Sequence, residues 1–206
     1  MKKIDRFFTV TGLLLLAAAL LLALYNIRTQ KTADEAAENT VEQLEPLIEE
    51  SKSKSAQTAD GSSEEVLPDY VLNPEMDMPE QTVDGNAYIG ILEIPSLDLS
   101  LPVMSEWSYP GLAVSPCRYC GSAYLNDMVI AAHNFDYHFG CIKTLSPGDE
   151  VTFTDIDGNV FRYEVAEIET LQPTDVEALT DSDWDLTLFT CTIGGASRVT
   201  VRCART

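Results

Sequence analysis

Histidine is almost missing: His133 and His138 are the only two in 206 residues. Cysteine is sparse too. Of the five, Cys117 and Cys120 form a Cys-x-x-Cys pair, with no second such pair and no His pair to complete a four-ligand zinc site. A thioredoxin-like use of that pair needs a βαβ setting, and none is visible. Basic residues are also scarce. Thirteen Lys and Arg face 33 Asp and Glu, for a net charge of −20. Such a surface repels phosphate backbones, so nucleic acid is set aside as a partner. Long apolar runs are lacking beyond one, Phe7 to Tyr25, which limits the chain to a single membrane span.

That run sets the organisation of the chain. Lys2, Lys3 and Arg6 precede 19 residues without a charge. About 20 apolar residues cross a bilayer as a helix. The basic start favours a cytoplasmic N-terminus. A cleaved signal peptide has a shorter apolar region, and the small residues Ala17 to Ala19 lie inside the run rather than after it. Residues 1–28 are therefore expected to be a cytoplasmic tail and an uncleaved anchor, with everything after them outside the cell. Residues 29–86 read as an acidic, flexible stalk, since so polar a stretch cannot bury enough apolar surface to offset its ordering entropy. The spacing of Val41, Leu44, Leu47 and Ile48 allows a helix within Thr32 to Glu50, interrupted at Pro46. Ser51 to Glu65 reads as linker.

Residues 87–206 read as one domain of short strands. Candidates are Tyr88 to Ile94, Leu99 to Val103, Met128 to Ala132, Glu150 to Thr154, Phe161 to Ile168, Asp185 to Thr190 and Arg198 to Cys203. An eighth is expected near Ser122 to Leu125. Asp155 to Asn159 is a hairpin turn. The alternation Phe161, Tyr163, Val165 breaks at Ile168, which suggests a bulge. Many short strands with turn signals make an all-β barrel or sandwich.

Chemistry concentrates at the ends of two of these strands. Thr187-Leu188-Phe189-Thr190 delivers Cys191 to a strand end. A turn containing Gly194 and Gly195 follows, and a second strand begins at Arg198. Antiparallel pairing across that turn brings a cation near the sulfur. A thiol beside a positive charge ionises more readily, and the thiolate is the nucleophile. The same guanidinium can stabilise an oxyanion. His133 directly follows the apolar run Met128 to Ala132. It is the side chain suited to protonating a departing amine near neutral pH. Against this stands a plain buried cysteine, since free Cys is among the most buried residue types.

Thr187-Leu188-Phe189-Thr190-Cys191 resembles the TLxTC signature of sortases, and Arg198 occupies their R-x-x-V position. Ile130-Ala131-Ala132-His133 is similar to their I-A-G-H pattern, with Ala132 in place of Gly. Phe139, Leu145, Gly148-Asp149 and Val151 follow with the family's spacing. The resemblance implies a closed eight-stranded β-barrel with short helices. It implies acyl transfer, with Cys191 attacking an LPxTG-like sorting signal to form a thioester, Arg198 at the oxyanion, and the Thr190 backbone assisting at the substrate. His133 then serves first the leaving and later the incoming amine. Implied partners are surface proteins or pilins bearing a C-terminal sorting signal, and a peptidoglycan precursor or pilin lysine as acceptor.

Arg202 is the fallback for Arg198. His138 reads as a solvated or substrate-rim residue. Cys117, Cys120, Cys141 and Cys203 read as inert buried thiols, with room for up to two bridges. Tyr70 to Glu80 has a lid over the site as its minority reading. Gln172 to Trp184, a groove wall in relatives, carries carboxylates that would serve calcium in some of them but lack an EF-hand pattern, so no cofactor or metal is expected. Two rivals remain. One is a thiol peptidase in which water resolves the thioester. The other is an exported β-barrel binding module with a silent Cys191.

Overall fold

The computed structural model describes residues 2–59, 67–181 and 183–206. A single helix, α1 (Lys2–Ala59), takes up the first 58 of these. Its segment Phe7–Arg28 is 22 residues long with a mean hydropathy of 2.5, and packs against nothing else in the protein. It is long and apolar enough to cross a hydrocarbon core about 30 Å thick.

From Ala37 onward the same helix turns a stripe inward. Ala37, Val41, Leu44 and Ile48 are all buried, at a spacing that defines one helical face. They rest on the first three strands, β1 (Gln81–Val83), β2 (Asn86–Ile94) and β3 (Leu99–Met104). The flexible stalk is thereby corrected for this part of residues 29–86. Average composition hid the reason: Glu38, Glu42, Glu45 and Glu49 all fall on the solvent side. Burying three large aliphatic side chains and an alanine contributes roughly 5 kcal/mol. Pro46 does not interrupt the helix. It lies on the exposed face, where the Glu42 carbonyl it leaves unbonded faces water. Of the linker expected over Ser51 to Glu65, Ser51 to Ala59 continue the helix instead, and the rest lies outside the described residues.

The remaining strands are β4 (Cys117–Cys120), β5 (Met128–Ala132), β6 (Glu150–Asp155), β7 (Val160–Leu171), β8 (Leu186–Cys191) and β9 (Arg198–Arg205). They follow the order β1-β2-β3-β4-β5-β8-β9-β7-β6, and β6 pairs back onto β2. Strands β2 to β9 thus form a closed eight-stranded barrel, and β1 adds to the free start of β2. Closure needs Gly90. It pairs with Asp155 across the β2–β6 seam, and a Cβ there would stand 2.1 Å from the Thr154 carbonyl oxygen. The barrel interior is filled by Leu92, Phe139, Phe153, Phe161, Leu188 and Val201, all fully buried.

Ser122 to Leu125 is a turn, not the eighth strand. The Ser122 hydroxyl accepts from the Tyr124 amide at 3.1 Å, and Asp127 Oδ1 accepts from the Ser122 amide at 2.8 Å. The eighth strand is the Cys-x-x-Cys stretch itself, β4, paired antiparallel to β5. The 155–159 hairpin forms, with the Asp155 amide donating to the Asn159 carbonyl. The bulge in β7 lies between Val165 and Glu167 in its pairing with β9. Short helices α2 (Asp69–Leu72), α3 (Tyr109–Leu112) and α4 (Val176–Thr180) decorate the barrel. Tyr70 of α2 stacks on Tyr124 with ring centroids 4.7 Å apart, so this part of the 70–80 segment packs on the barrel wall rather than over the strand ends that carry Cys191.

Candidate active site

Two pairings bring the site together. β8 and β9 run antiparallel with Cys191 directly opposite Arg198. Cross-strand partners emerge on the same face with Cβ atoms about 5 Å apart. On its other side β8 runs parallel to β5 with Thr190 beside Ala132, so one further step puts His133 alongside Cys191. All five residues of β5 are buried. Both faces of this strand are covered, and that explains the unbroken apolar run before His133. His133, Cys191 and Arg198 line one cavity of about 240 Å³.

The turn between β8 and β9 is held by its own bonds. The Thr192 amide donates to the Ser197 carbonyl at 3.0 Å, and the Gly195 amide to the Thr192 carbonyl at 2.8 Å. The Thr192 hydroxyl accepts from the Ser197 amide at 3.1 Å. Gly194 and Gly195 have φ of +83° and +73°, a region that a side chain strains. The Arg198 guanidinium donates to the Gly195 and Ser197 carbonyls at 3.3 and 3.2 Å. It is therefore steadied at the mouth while part of its donor fork stays available.

Thr190 adds a scaffold contact through its side chain, separate from the backbone role at the substrate expected of it. Its hydroxyl, buried, donates to the Ala132 carbonyl at 2.8 Å. The side chain ties β8 to β5 directly behind the nucleophile and the histidine, so it positions both.

The cavity walls are aromatic and aliphatic. Trp107, Tyr119 and Phe189 meet edge to face, with centroids 5.7 and 5.4 Å apart. Val176 and Leu179 of α4 form the facing wall. Arg202, the fallback cation, is not free for catalysis. It is 2% exposed and lies under α4. Its Nε donates to Glu169 at 2.8 Å, and its terminal nitrogens donate to the Ala178 and Leu179 carbonyls and the Thr187 hydroxyl. It builds the wall on which α4 sits. Asp175, at the head of α4, accepts from the Gln172 amide at 3.1 Å. Among the described residues no group of three or more His, Cys, Asp or Glu converges as a metal site.

His138 is corrected from solvated to fully buried. The loop after His133 folds back on itself: the Phe139 amide donates to the His133 carbonyl, and the His138 and Gly140 amides donate to the Phe135 carbonyl. This turns the ring inward. The Phe135 ring lies 4.9 Å from His133 and 5.6 Å from His138. Among the described residues neither nitrogen of His138 has a hydrogen-bond partner. Burial, with the nearby His133 charge second, pushes its pKa down to about 4. Burial also lowers that of His133. An unfolded His138 takes up its proton near pH 6.5 while the folded one refuses it until about 4. Stability from this group is therefore full above pH 6.5 and falls on acidification through that window, by up to about 3 kcal/mol. His138→Phe is expected to flatten this acid limb in chemical denaturation, and an unchanged limb would reject the assignment.

All five cysteines are free. Burial pushes the Cys117 thiol up to about 11 and that of Cys203 to about 12, and raises Cys120 as well. These thiols stay neutral and inert. Cys191 is the thiol that shares a cavity with a histidine and an arginine.

A family model described as the sortase domain matches residues 92–206. The chain belongs to the sortase family. Solved sortase structures superpose on it. Sortase C of Clostridium perfringens with the C-terminal cell wall sorting motif is 27% identical, with 80% of this chain and 90% of that one covered and a TM-score of 0.51. Sortase C1 of Streptococcus suis is 26% identical over 66% of this chain and 78% of its own, TM-score 0.51. The Clostridium perfringens sortase D5 transpeptidase, at 20% identity and TM-score 0.52, covers 78% of this chain and 99% of its own and shares the fold. No curated protein matches the chain. Sortases are cysteine transpeptidases, and the cavity holding Cys191 carries the functional groups that such chemistry requires.

Proposed function

We propose that this sortase cleaves an LPxTG-like sorting signal through a Cys191 thioester and transfers the acyl group to an amine of the cell wall or of a pilin. The supporting observation is the register that sets Arg198 opposite Cys191 on β9 while β5 sets His133 beside it. Attack of the thiolate on the Thr–Gly carbonyl creates an oxyanion, which the Arg198 guanidinium faces. His133, as imidazolium, gives its proton to the leaving glycine amine. Its lowered pKa makes that imidazolium a stronger acid, and leaves a neutral base to receive the proton of the incoming amine. The aromatic and aliphatic walls fit the leucine and proline of such a signal. In this reading Phe7–Arg28 is a single-pass anchor with its N-terminus in the cytoplasm and the barrel outside the cell. Residues 87–206 form the catalytic domain.

Intact mass spectrometry of the full chain in detergent, incubated with a pool of LPXTG peptides, tests this. An acyl adduct on Cys191 that disappears faster when an amine is added is expected. An adduct released at the same rate by water alone would make the protein a thiol peptidase. A thiol that neither acylates nor reacts with a small alkylating reagent would leave a binding module.

A further inference from the structure

A second cavity, of about 380 Å³, meets the first at Cys191, which is the one residue common to both linings. Both carry apolar side chains, Phe139, Ile193 and Val199 in the second, and they differ in which polar groups stand among them. The first is walled by aromatic and aliphatic side chains. The second carries Asn134, Asp136, Lys143 and Thr192. We propose that this second cavity is the acceptor subsite, and that it is built for an amine carrying a carboxylate close by. The proposal rests on the thioester reading of Cys191.

A transferase with one sulfur needs two approaches to it. The acyl donor occupies one. The leaving amine departs by the other, and by microscopic reversibility the incoming amine returns through the same place. The chain is laid out for this. His133 lines the first cavity and its neighbour Asn134 the second, so the proton carrier stands at the junction. The loop beyond it folds closely on itself: a Cβ on Gly140 would stand 2.7 Å from the Phe135 carbonyl oxygen.

The charges name the ligand. Asp136 and Lys143 line the same cavity, both exposed at its rim, yet they form no ion pair with each other or with any other described residue. A carboxylate and an ammonium that line one cavity without pairing complement a ligand with the opposite pair, an ammonium beside a carboxylate. Asp136 would hold the incoming ammonium until it releases one proton to water and becomes a nucleophile. Lys143 would hold the carboxylate. The amine nitrogen then bonds to the thioester carbonyl carbon and gives its second proton to neutral His133, the C–S bond breaks, and the Cys191 thiolate takes that proton from His133. An amide and a free thiol result.

The test uses the full chain in detergent, the LPXTG peptide pool as donor, and glycine and glycinamide in competition as acceptors. Both draw on the same thioester, so their product ratio isolates acceptor selection. Glycinamide has the less basic amine and the larger unprotonated fraction at neutral pH, so intrinsic reactivity favours it. Recognition of the carboxylate is expected to reverse this, giving at least about fivefold more glycine product. Lys143→Gln should erase that preference, and Asp136→Asn should lower aminolysis by both amines against hydrolysis about fivefold. Lys54→Gln, on the exposed face of α1, should leave the ratio unaltered. A thioester that forms but shows no preference for glycine, or a preference that survives Lys143→Gln, overturns the acceptor assignment alone. A chain that forms no thioester with any peptide overturns the enzymatic reading and this proposal together.

Discussion

Replacing Cys191 by alanine is expected to lower peptide cleavage by about four orders of magnitude or more while leaving the fold intact. Removing a covalent nucleophile takes away the whole thioester route, and the groups around it cannot substitute for one another. Stability should hardly change, within about 0.5 kcal/mol. Cys191 is only partly buried, at a strand end, and the adjoining turn is secured by Thr192 and Ser197 rather than by the thiol. Thermal melts of the two proteins should overlay, and a fluorogenic LPXTG assay should read only background for the variant. Residual cleavage above about 1% would move the nucleophile elsewhere, and the raised thiols of Cys117 and Cys203 make them poor candidates.

Arg202→Met is expected to act in the opposite manner, on structure first. The arginine is 2% exposed and serves acceptors on three elements: Glu169 on β7, Thr187 on β8, and the Ala178 and Leu179 carbonyls of α4. Removing one partner of a buried ionic network costs about 3 kcal/mol or more. Glu169 is a third exposed and can rehydrate, so the buried carbonyls and hydroxyl bear most of the loss. The melting midpoint should drop by about 10 °C. At a temperature where the variant is folded, KM should rise more than kcat falls, because α4 is a groove wall and makes no contact with the sulfur chemistry. Arg202→Lys should recover less than half of the stability, since a single ammonium cannot reproduce a planar fork of donors. A kcat loss at unchanged KM would point instead to a role at the reacting carbonyl.

The parts of this protein that were legible in the sequence are those fixed by short-range pattern. Cys191 and Arg198 are placed opposite one another by a glycine turn between two β-prone runs. His133 is announced by the apolar run of β5. The missed parts depend on contacts that no local pattern encodes. His138 looks solvated among Asp136 and Tyr137, and only the folding back of its loop onto Phe135 buries it. Arg202 shares alternation with Arg198, but its bonds are with α4, 23 and 24 residues before it in sequence. The eighth strand was misplaced because Cys117-Arg118-Tyr119-Cys120 carries no clear alternation, while Ser122 to Leu125 carries apolar residues within a turn. In α1 the acids dominate the average, and the inward stripe of one residue in three or four was diluted by them.

The continuity of α1 has a mechanical consequence. Nine helical steps, about 14 Å of rise, separate the end of the apolar segment at Arg28 from Ala37, the first buried side chain of the helix among the described residues. With Phe7–Arg28 in a bilayer, the barrel is mounted on a short strut instead of swinging on a tether. Its working height above the lipid is then set by helix rise, and its search for substrate is reduced to sliding within a plane. Sorting signals and acceptors would have to be presented at that height, and lengthening the strut by a turn or two would misalign the encounter without altering a single atom of the catalytic cavity.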